Sequence, residues 1–175
     1  MIAGVLAANL YRILGKKTET SDLNIEQEQT YNIEKPAFSE DVLDYSKKQI
    51  LYLDKNFSFE DFLEGARSAF KLIVTSFKNN NLGKVKSYLS ETVYKSFESA
   101  KIDESSSFDI KSLEAFIVRI DVAKKVANIK VKFISQQESY SNSKQSLEEV
   151  TDFWTFEKDV TSNNPIWILT EVNSE

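Results

Sequence analysis

Neither cysteine nor histidine occurs in the 175 residues. The first absence excludes disulfides, thiol nucleophiles and Cys-ligated metals. The second excludes imidazole acid/base chemistry, the Ser-His-Asp triad and His-ligated zinc. An enzyme built from this chain would have to work with Asp, Glu, Lys, Tyr, Ser or Thr. No cofactor and no metal is expected. Basic surplus is missing too: 22 Lys and Arg stand against 27 Asp and Glu, for a net charge of −5. Direct nucleic-acid binding normally needs a basic excess or stripe, so that class is set aside. Four glycines and two prolines leave little punctuation, which implies long regular elements and few tight turns.

What is present divides into three parts. Residues 1–17, "MIAGVLAANLYRILGKK", contain no acid and carry Arg12, Lys16 and Lys17 near their far end. As a helix, Ile2, Val5, Leu6, Leu10, Ile13 and Leu14 form a bulky stripe at 3- and 4-residue steps. Ala3, Gly4, Ala7 and Ala8 form a small-residue face that would let such helices self-associate. The apolar run of about 14 residues spans roughly 21 Å as a helix, short of the roughly 20 residues a bilayer core asks for. Three readings stay open: a short membrane anchor, an interfacial helix lying on anionic lipid, or a helix buried against its own domain. A spanning segment followed by Lys16 and Lys17 would leave the remainder in the cytoplasm. Residues 18–37 are polar and acid-leaning, with Glu19, Asp22, Glu26, Glu28 and Glu34, and read as a flexible tether.

Residues 38–175 read as one folded domain. Ser39 can cap a helix over Glu40–Leu53. Ser58 can cap the strongest helix, in which Phe59, Phe62, Leu63, Ala66, Phe70, Ile73, Val74 and Phe77 recur at helical spacing. "NNNLG" breaks it. A further helix is expected from Leu82, and Ser90 offers a fresh cap for residues to about Ala100.

The period then changes to 2. Phe116, Val118, Ile120 and Val122 are expected on one face, followed by a turn at Lys124–Lys125 and by Ile129, Val131 and Phe133. "SQQESYSNSKQSLE" reads as a polar loop. Two more strands, "EVTDFWTFEKDV" and "IWILTEV", flank a turn over Thr161–Pro165, with Ile166, Ile168 and Val172 on one face. Helices followed by antiparallel strands give an α+β layer fold. Val150, Trp154 and Phe156 share a strand face that covers the long helix; if the sheet curls, an apolar hollow opens beneath it. The residues expected to line that hollow are Phe70, Val74, Val118, Val131, Trp154, Phe156 and Trp167. By alternation Asp152 shares the face of Trp154. On a concave face it would be desolvated; a wet position at the sheet rim, or pairing with Arg119 or a lysine, is the expectation.

Three blocks, "FLEGARSAFKLIVTSF" (62–77), "LSETVYKSF" (89–97) and "VTDFWTFEKDVTSNNPIWIL" (150–169), resemble the Tim44-like domain family, over about Asp54 to Val172. That family includes an inner-membrane adaptor of the mitochondrial presequence translocase motor, a mitochondrial large-ribosomal-subunit protein and bacterial membrane-anchored homologues. The resemblance implies a cone of the nuclear-transport-factor-two-like type: a curved four-stranded sheet around a long helix, with an apolar pocket. It implies a membrane-associated, non-catalytic adaptor in protein transport that binds a protein partner or a lipid tail. The leader looks most like that of the bacterial members, which places the protein on the cytoplasmic face of an inner membrane; the mitochondrial matrix side is the alternative. Ribosome tethering and, further off, a pocket isomerase or dehydratase are the other functions the resemblance allows. The chain lacks the long region through which the mitochondrial adaptor engages its chaperone, so chaperone binding does not carry over. Glu40, Asp41 and Asp44 also offset Lys47 and Lys48 where the family is proposed to meet lipid.

Overall fold

The computed structural model describes residues 40–100, 107–141 and 144–174. The leader, the tether and Ser39 lie outside them. Among the described residues three α-helices precede four strands: α1 (Glu40–Leu53), α2 (Phe59–Lys78), α3 (Glu91–Ser99), β1 (Ser107–Ala123), β2 (Val126–Ser141), β3 (Lys144–Asp159) and β4 (Ile168–Ser174). The strands form one antiparallel sheet in the order β1-β2-β3-β4, curved over the helices that pack on it.

Helix α2 follows its sequence signals closely. The Ser58 side chain accepts a hydrogen bond from the Asp61 backbone N–H at 3.1 Å, and Glu60 and Asp61 complement the helix dipole. Phe62, Ala66, Phe70, Ile73, Val74 and Phe77 are buried along one stripe. At the far end Asn80 adopts a left-handed conformation, φ 52°, which asparagine tolerates better than most residues. Ser90 caps α3 in the same manner, accepting from the Val93 N–H at 3.3 Å. Helix α1 packs on β1 but buries only Ser46 and Ile50 fully.

The segment from Leu82 to Tyr88 is a 3₁₀ helix and not the expected α-helix. Its apolar residues Leu82, Val85 and Tyr88 recur every third position, which suits three residues per turn. Asn81 supplies no side-chain cap. The segment then docks on the sheet, where the Ser90 N–H donates to the Leu169 carbonyl at 2.9 Å.

The sheet departs from the expected phases at three places. First, residues 135–141 and 144–148, expected as part of a loop, are strand: β2 and β3 continue as a ladder to Ser141 and Lys144. Strand β2 is paired on both sides along this stretch, so its backbone groups are satisfied despite a composition that reads as loop. Second, β1 bulges between Ile117 and Arg119. One extra residue reverses the parity of every side chain beyond it. Ala115 and Ile120 therefore both face the core, and Phe116, expected beside Ile120, is 48% exposed. Third, an irregularity between Thr155 and Phe156 pairs Glu171 and Leu169 with adjacent residues of β3. Leu169 and Val172 are buried as a result, and Ile168 lies off the core face.

Candidate functional site

The interior between α2 and the sheet is filled by aromatic rings. Phe70 stands 4.7 Å from both Phe133 and Trp154, and Phe133 stands 5.6 Å from Trp154 (ring centroids). Phe70, Val74, Val131 and Trp154 all belong to this packed core. Val118 sits half-buried at the β1 bulge.

Toward the N-terminal end of α2 the packing opens into a cleft of about 680 Å³. One wall is the Asp54–Ser58 connection and the first three turns of α2, which present Asp61, Phe62, Gly65, Ala66 and Ala69. The other wall is Phe156 and Lys158 from β3 and Pro165, Ile166 and Trp167 before β4; Tyr88 lines it as well. Of the seven residues expected to line a hollow, Phe156 and Trp167 do so. Phe57, Gly65 and Ala69 are lining residues that apolar spacing does not single out, while Phe62 and Ala66 lie on the expected stripe, which marks them as core and not as lining. The available signal is Gly65-Ala66 with Ala69: small side chains on or beside a stripe that is otherwise bulky.

Local chemistry holds the cleft in shape. Phe57 is turned inward by a tight connection in which its N–H donates to the Asp54 carbonyl at 3.2 Å and the Asn56 N–H donates to Asp54 Oδ1 at 3.0 Å. Trp167 follows Pro165 and an Asx-type turn in which the Ile166 N–H donates to Asn164 Oδ1 at 3.1 Å. Trp167 lies 4.8 Å from Phe62 and 5.9 Å from Phe57, both at edge-on angles. A half-buried indole flanked by edge-packed phenyl rings makes a wall that is apolar yet accessible. Lys158 Nζ lies 6.0 Å from the Trp167 ring centroid. With Asp54 and Asp61 the lining carries two carboxylates and one ammonium.

Asp152 is a separate feature. It faces inward on β3, paired with Phe133 of β2 and Ser174 of β4, and is 9% exposed. The expectation of a wet or Arg119-paired rim position is overturned: Arg119 instead bonds Asp121, through Nε at 2.6 Å and Nη2 at 3.0 Å. Burial pushes the Asp152 carboxyl up to about 7, because desolvation penalises the charged form. Two residues along the same strand face, Trp154 Nε1 is buried with no hydrogen-bond partner among the described residues. Asp152 does not line the cleft, so it has no visible route to a substrate there.

The leader residues proposed for membrane contact, Ile2, Val5, Leu6, Leu10, Arg12, Ile13, Leu14, Lys16 and Lys17, lie outside the described residues. Among the described residues no helix is long and apolar enough to cross a membrane, and no three acidic side chains gather as a metal site. The family model of the Tim44-like domain matches residues 44–174, which takes in every described element except the first turn of α1. No curated protein matches the chain.

Proposed function

The chain belongs to the Tim44-like domain family, and we propose from this that it is a membrane-associated, non-catalytic adaptor of the protein-transport type. In this reading the leader holds the domain at an inner membrane, on its cytoplasmic face, and the cleft beside Trp167 receives an apolar segment of a protein partner or a lipid tail. The observation that carries the reading is the cleft itself: five aromatic side chains, Phe57, Phe62, Tyr88, Phe156 and Trp167, line an accessible space together with Asp54, Asn56, Ser58, Asp61 and Lys158. Asp152, the acid a pocket enzyme of this architecture would use, lies away from that space.

A photoreactive residue at position 167 in native membranes should form adducts with lipid or with one recurrent protein, identified by mass spectrometry. The same residue at position 154 should react only within the chain. Equal, diffuse labelling from both positions would remove the cleft as a docking site. Deleting residues 1–17 should move the protein from the membrane to the soluble fraction; retention after a carbonate wash would remove the anchoring role.

A further inference from the structure

We propose that the cleft has an occupant within this same chain: the leader, residues 2–17, which seats its bulky stripe against Trp167 and Phe62 when no membrane takes it up. The proposal deepens the adaptor reading, on which it rests, by making membrane binding and cleft opening a single exchange.

Three observations converge on this segment. The first is charge. The leader has three cations, Arg12, Lys16 and Lys17, and no acid. The cleft lining has Asp54 and Asp61 against Lys158 alone, and of the exposed charges beside it Glu60 and Glu64 outnumber Lys55. The second is shape. A helix with its side chains is about 10–12 Å across, too wide to enter, but one face of large aliphatic residues can fill a groove floored by Gly65, Ala66 and Ala69. A Cβ built on Gly65 meets nothing within 4 Å, so the floor has room for an incoming side chain. The third is reach. Helix α1 runs directly into the cleft wall at Asp54 and is about 21 Å long at 1.5 Å per residue. A polar coil of the length between the leader and α1, residues 18–39, has a root-mean-square span of roughly 26 Å. The leader can therefore double back along α1 and meet the cleft at an effective concentration in the millimolar range. Contacts of modest intrinsic strength then suffice.

The absence of native cysteine makes the test unambiguous. In the full chain, Asn9→Cys flanks the leader's stripe and Asn56→Cys lies in the cleft wall. The control joins Asn9→Cys to Leu147→Cys, an exposed position on β3 roughly 35 Å along the strand from Lys158. Under mild oxidation without membranes, the first pair should close an intramolecular disulfide at least about ten-fold faster than the control, as the difference in effective concentration requires. Vesicles of phosphatidylglycerol and phosphatidylcholine should slow it several-fold, and adding Trp167→Ala should slow it without vesicles. Equal rates for the two pairs, or crosslinked dimers in place of closed monomers, would overturn the proposal even if the protein still binds vesicles. Fast closure in a protein that vesicles neither bind nor slow would keep the leader in the cleft and overturn the membrane reading instead.

Discussion

Around Phe70 the face of α2 is sealed against the sheet by Phe133 and Trp154, whereas around Gly65 and Ala69 it is left open. Both regions lie on one helix under one sheet, and both are rich in aromatic side chains. Side-chain volume on the helix separates them. Around Phe70 the rings of β2 and β3 meet a phenyl ring and exclude solvent; in the cleft Phe156 and Trp167 meet only Phe62 of α2, and beside it the helix presents glycine and alanine, which leave the space between unfilled. Inward-pointing bulk fills space, and a cavity forms where bulk is withheld. The tryptophans divide accordingly: Trp154 is 1% exposed, while Trp167 is half-buried at the cleft wall.

Truncating each indole should break the comparison most visibly. Trp154→Ala removes a fully enclosed ring, and large-to-small core changes of this kind cost about 3–5 kcal/mol. Trp167→Ala removes a ring that already touches solvent, so less than about 2 kcal/mol is expected from the smaller apolar area lost. Urea unfolding of the two variants measures the gap directly. Equal losses would mean that the cleft wall is as much a part of the core as the filled region.

A smaller effect, opposite in sign, is expected from Asp152→Asn at the sealed end. The folded-state pKa of about 7 lies above the ordinary value of 3.8, so between these values the folded protein holds a proton that the unfolded chain has released. Stability contributed by the neutral acid is complete below pH 3.8, declines as pH rises toward 7, and stays low above it. The asparagine variant carries no such penalty. Relative to it, the wild type should lose about 2–4 kcal/mol between roughly pH 4 and pH 8, because each tenfold difference in proton affinity between the folded and unfolded chain is worth about 1.36 kcal/mol. Parallel stability curves for the two proteins would show that the carboxyl is hydrated after all.

How much of this arrangement is legible in the sequence differs between helices and sheet. Ser58 and Ser90, each followed by acids and a 3.6-residue apolar period, locate two helix starts to the residue, because a cap and a stripe are local properties. Strand faces can be read correctly only up to the bulges. Val118 and Thr170 look like ordinary strand residues, and nothing in their immediate neighbours announces that the ladder slips there. Residues 135–141 and 144–148 mislead for a different reason: serine and glutamine dominate them, and their strand conformation depends on the pairing of β2 with β1 and β3, which is not local. Alternation puts Asp152 on the face of Trp154, yet its burial depends on the helices above. The cleft is half legible, since Phe156 and Trp167 stand out as aromatics while the small residues opposite them do not.

Gly65 offers the finest test of the contrast between the sealed and open regions. It is exposed in the middle of a helix, where glycine is about 1 kcal/mol less favourable than alanine, and a Cβ there meets no neighbour within 4 Å. On stability alone, Gly65→Ala should therefore raise the unfolding free energy by about 0.5–1 kcal/mol. A larger side chain has a second consequence. Gly65→Phe would present to Trp167 and Phe156 the kind of partner that Phe70 presents to Trp154, and the open region should begin to resemble the sealed one. Trp167 fluorescence should shift to shorter wavelength as its solvent contact falls, and photoadducts from position 167 should disappear while the fold persists. A Gly65→Phe protein that still captures its occupant undiminished would show that the withheld volume on α2 is not what admits the ligand, and the distinction between the two regions would then have to rest on the β4 side of the cleft alone.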